Sequence, residues 1–70
     1  MSLVKRSVTL SGHRTSVSLE PEFWAALDAA ATAEGVALAR LVGRIDDARA
    51  GTGRSLSSAL RVYLLERAAS

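Results

Sequence analysis

Two stretches of this 70-residue chain carry side chains and backbone groups spaced for a recognisable chemistry. The first, Gly53-Arg54-Ser55-Leu56-Ser57-Ser58, puts an arginine, three hydroxyls and the free amides of a helix start side by side. Such an end attracts phosphate oxygens, because unpaired amides and the helix dipole both favour negative charge. Serines also cap helices that bind nothing but water, so plain capping is the competing reading. The second stretch is Arg14-Thr15-Ser16-Val17-Ser18-Leu19-Glu20-Pro21-Glu22. In an extended chain Thr15, Val17 and Leu19 fall on one side, and Arg14, Ser16 and Ser18 on the other.

Catalysis finds little to work with. A nucleophile needs a base within reach and an orienting partner, whereas the chain has one histidine, His13, and no cysteine. Gly51 and Gly53 lack the Gly-Lys-Ser/Thr ending of a phosphate loop. Asp46-Asp47 are adjacent on a helix and so do not share a face, which makes them a surface pair rather than a cation site. No enzyme, cofactor or metal is expected.

Charge is unevenly spread along the chain. Lys5, Arg6 and Arg14 give the part before Glu20 a charge of +3; Glu20 to Ala48 carries −4; the remainder returns to +3. Basic ends around an acidic middle suit one positive and one negative face, although solvated surface charge explains the same pattern. Seventy residues make one domain near the lower limit for burying a core, and burial across a dimer interface is the expected supplement. No stretch reaches a transmembrane length, and the start lacks the apolar core of a signal peptide, so a cytoplasmic protein with no membrane contact is expected.

These residues require a set of positioning elements. Residues 14–19 form a strand, which needs a partner for its polar edge and its apolar face. A second copy of the same strand is the expected partner. Residues 1–11 form an arm or an extra strand, and Ser11-Gly12 leaves open a hairpin between Val8-Leu10 and Thr15-Leu19. A first helix spans 21–34, with Glu20 as cap, Pro21 in its first turn, Leu19 and Trp24 as a hydrophobic staple, and Gly35 as stop. Trp24 reads either as an interface anchor or as core. Leu38, Leu41, Val42 and Ile45 set a second helix at 38–48, and Leu56, Ala59, Leu60, Tyr63 and Leu64 a third at 55–67, capped by Ser55.

Strand, proline-started helix, glycine stop and the serine-rich helix start together resemble the ribbon-helix-helix repressors of the MetJ/Arc type. Lys5-Arg6-Ser7-Val8, Gly12-His13-Arg14-Thr15-Ser16, Leu19-Glu20-Pro21-Glu22-Phe23 and Leu56-Ser57-Ser58-Ala59-Leu60-Arg61 look more narrowly like a small bacterial ribbon-helix-helix family. The resemblance implies a mainly α fold with a short β-ribbon and an additional helix. It also implies an intertwined homodimer whose antiparallel ribbon enters the major groove of double-stranded DNA. It carries base contacts onto Arg14, Ser16 and Ser18, and a phosphate grip onto the helix start at Ser55, Leu56, Ser57 and Ser58. Lys5, Arg6 and Arg54 add salt-sensitive phosphate contacts.

One departure from the family's pattern stands out. Residues 36–52 separate Gly35 from the serine-rich start, so the middle helix is either an insertion or itself the family's second helix. In the latter case the phosphate grip moves to Val36-Ala37-Leu38. A transcriptional regulator is the first function expected. The alternative is an antitoxin-like or adaptor module whose additional helix engages a protein partner, and its sign is an exposed Leu38, Leu41, Val42 and Ile45 stripe.

Overall fold

The computed structural model describes residues 2–70; Met1, the first residue of the expected arm, lies outside them. Ser11 and Gly12 both adopt positive φ, 51° and 79°. That combination defines a type I′ turn, whose twist suits antiparallel strands. It folds β1 (Val4–Leu10) back onto β2 (His13–Leu19), with Leu10 opposite His13, Ser7 opposite Ser16 and Val4 opposite Leu19. The strand that was expected to pair with a second copy therefore pairs within its own chain. A two-residue loop closes the ladder at minimal entropic cost, whereas a second copy has to be recruited from solution.

Helix α1 (Pro21–Glu34) starts at Pro21, which fixes φ for the first turn and needs no hydrogen-bond donor there. Glu20 occupies the cap position without a side-chain capping bond; its carboxylate instead accepts from Arg61 Nε and Nη2 at 3.0 and 2.8 Å. Gly35, left-handed at φ 69°, ends the helix, and the amides of Gly35 and Val36 return to the carbonyls of Thr32 and Ala31. Trp24 is core: it is 2% exposed, and its Nε1–H donates to the Val4 carbonyl at 2.7 Å.

Helix α2 (Leu38–Ala48) buries Leu41, Val42 and Ile45 and half-buries Leu38. Its apolar stripe is part of the chain's own core, so the surface that a partner-binding middle helix would need is already covered. Helix α3 (Leu56–Ala69) is capped by the Ser55 hydroxyl, which accepts from the Ser58 amide at 3.1 Å. α2 packs against β1 and α3 against β2, while α1 meets both other helices. Val8, Val17 and Leu19 from the inner face of the hairpin complete the core with Leu27, Leu41 and Leu60.

Candidate nucleic-acid interface

Strand alternation sorts the hairpin into two faces. Inward go Val8, Val17 and Leu19; outward go Lys5, Ser7 and Thr9 on β1 and Arg14, Ser16 and Ser18 on β2. The register sets Lys5 opposite Ser18, Ser7 opposite Ser16 and Thr9 opposite Arg14. This face holds two cations and four hydroxyls and no acid. Along each strand the outward side chains recur every ~6.7 Å, close to two base-pair steps of duplex DNA. Lys5 and Arg14 lie toward opposite ends, roughly 13 Å apart along the ribbon.

Ser16 and Arg14 are exposed, whereas Ser18 is half-buried because the start of α3 lies beside it. Ser57 Oγ donates to the Ser18 carbonyl at 3.4 Å, which brings the serine-rich helix start next to the end of β2. Of the three hydroxyls there, Ser55 caps the helix, Ser57 holds Ser18, and Ser58 is half-buried. Arg54 is exposed just before them; its carbonyl accepts from Arg49 Nη1 at 2.9 Å. Toward the turn of the hairpin, α2 sets Ala39, Arg40 and Gly43 beside Thr9, Leu10 and Ser11.

Arg6 is placed differently from the other expected phosphate ligands. It shares strand parity with Val4 and Val8, so it faces the helices, where Nη1 and Nη2 meet the two oxygens of Asp28 at 3.2 Å each. Its guanidinium carbon also lies 4.7 Å from the centre of the Trp24 ring. Sequence reasoning missed Ser7 and Thr9 as members of the outward face. Their alternation with Val8 and Leu10 was the available signal, and it becomes decisive only once β1 is known to pair with β2.

Ion pairing sharpens the electrostatics. Arg6, Arg44, Arg49 and Arg61 are matched by Asp28, Glu34, Asp46 and Glu20. Among the described residues Lys5, Arg14 and Arg54 have no ion pair, so their charge stays available to an anionic partner.

Two of these pairs shift acids. The Arg61 hydrogen bond holds the Glu20 carboxyl below the ordinary value of 4.5. The Arg44 hydrogen bond does the same for Glu34, assisted by the Tyr63 hydroxyl, which donates at 3.1 Å. A carboxyl depressed in the folded state adds stability that is complete above its unfolded value and is lost as pH falls through the folded one. The urea midpoint is therefore expected to drop between about pH 5 and pH 3, and Arg61→Gln to make that drop shallower. A variant with an undiminished slope would show that Glu20 does not contribute.

A short antiparallel ribbon leading into packed helices is the architecture of a ribbon-helix-helix domain. The sequence model of that family, described as "Ribbon-helix-helix domain", matches residues 3–68, and the chain belongs to the family. Its members are in general DNA-binding transcription regulators and non-enzymatic modules. No curated protein and no solved structure matches the chain. No helix among the described residues is long and apolar enough to cross a membrane.

Proposed function

We propose that the chain is a sequence-specific DNA-binding transcriptional regulator, a cytoplasmic repressor that inserts its hairpin into the major groove and acts as a homodimer. The observation that carries this reading is the acid-free outward face, Lys5-Ser7-Thr9 beside Arg14-Ser16-Ser18. A two-stranded ribbon fits a groove about 12 Å wide. Arg14 offers two parallel donors to guanine, and the hydroxyls donate to or accept from several bases, so Arg14 carries most of the discrimination. Lys5 and Arg54 contact phosphate. The start of α3 acts as the backbone grip through its first amides, since two of its hydroxyls are engaged within the chain. Its position beside β2 favours α3 over α2 in this role.

The test is selection from a random duplex pool followed by titration at two salt concentrations. A reproducible preferred sequence is expected, with affinity falling as salt rises. Binding that ignores salt, or a pool that yields no preference, would remove the basis of the proposal.

A further inference from the structure

One methyl group stands on the outward face of the hairpin. Of Lys5, Ser7, Thr9, Arg14, Ser16 and Ser18, only Thr9 bears a methyl, and it is exposed. The register places Thr9 directly opposite Arg14. Side chains so paired start about 4.5–5.5 Å apart, which is within two base-pair steps of about 3.4 Å each. Composition narrows the face further. The chain has no asparagine and no glutamine, the residues that bond adenine through two atoms, and this face has no acid to accept from the cytosine amino group.

We propose that Thr9 reads the 5-methyl group of a thymine lying within two base pairs of the guanine taken by Arg14. This inference rests on the proposed reading of DNA and narrows it to a class of target. Among the four bases only thymine presents a methyl in the major groove, and an apolar contact with it is a recognised mode of reading. Serine hydroxyls donate and accept alike, so they separate the bases poorly. Without a two-bond reader of adenine, an A·T pair is specified from its thymine side. Discrimination therefore concentrates in one cross-strand pair, guanidinium for guanine and methyl for thymine. Threonine also favours strands through its branched side chain. Two variants separate the roles: valine keeps the methyl and the branching, whereas serine keeps only the hydroxyl.

Selection from a random duplex pool, with the wild type and with Arg14→Ala, locates the guanine. A thymine is expected at a fixed position within two base pairs of it. Replacing that thymine by deoxyuridine removes only the methyl, and is expected to weaken wild-type binding about fourfold for each hairpin bound, the worth of burying one such carbon. Thr9→Ser is expected to bind the thymine duplex as weakly as the wild type binds the deoxyuridine duplex, and to make no distinction between the two. Thr9→Val is expected to keep the distinction. A selected sequence without that thymine, a Thr9→Ser protein that still prefers thymine to deoxyuridine, or a Thr9→Val protein that does not, would overturn the role of Thr9 while leaving DNA reading in place. A pool that yields no preferred sequence would remove both.

Discussion

Trp24→Ala is expected to lower the free energy of unfolding by about 3–5 kcal/mol, the usual cost of deleting a buried aromatic ring. A domain of this length has roughly 4–10 kcal/mol in total, so the variant should be largely unfolded at moderate temperature. The ring is 2% exposed, donates its Nε1–H to the Val4 carbonyl at 2.7 Å and lies 4.7 Å from the Arg6 guanidinium carbon. Removing it opens a cavity and also releases the strand end that it fastens to α1. Trp24→Phe separates the two effects: it keeps most of the apolar volume and loses the hydrogen bond, for a cost near 1 kcal/mol. Urea titration followed by circular dichroism reads both, since tryptophan fluorescence disappears with the residue. A Trp24→Ala protein with the wild-type midpoint would mean that the hairpin is not held through this side chain.

Arg14→Ala is expected to weaken binding to the preferred sequence by about ten- to a hundredfold, corresponding to the 1–3 kcal/mol of a bidentate base contact. Preference should relax mainly at one base position, with binding to scrambled duplex changing far less. Arg14 is exposed and takes part in no ion pair among the described residues, so the folded state should tolerate the change. Lys5→Ala supplies the contrast: uniform weakening across sequences and a salt slope reduced by about one. Arg6→Ala supplies another, because that guanidinium is committed to Asp28 and Trp24. Its loss should appear in stability rather than in site preference. A folded Arg14→Ala protein with the wild-type preference would place base reading elsewhere.

Much of this arrangement was legible in the sequence for local reasons. Alternation from Arg14 to Leu19, Pro21 at a helix start and Gly35 at a helix stop are signals in which neighbouring residues dictate backbone shape, and the family match to residues 3–68 agrees with the fold they imply. The stripe on α2 showed that the helix has an apolar side. It could not show whether the chain itself or a partner covers that side, because coverage depends on residues distant in sequence. The hairpin of β1 and β2 stayed an open alternative for a similar reason: Ser11-Gly12 is a weaker turn pair than Asn-Gly, and the observed positive φ at both residues fixes it. Arg6 was grouped with Lys5 by charge, although adjacent residues of a strand point to opposite faces.

On the proposed function, the chain's own pairing of Val4–Leu10 with His13–Leu19 has a consequence for the kind of DNA site it would read. A ribbon assembled from two identical strands is symmetric, and the stretch it reads tends to be its own reverse complement. Here the two sides of the ribbon differ, lysine, serine and threonine against arginine, serine and serine. On the proposed function each hairpin would read a directional stretch of bases, and an inverted repeat in a target would arise between the stretches read by separate subunits.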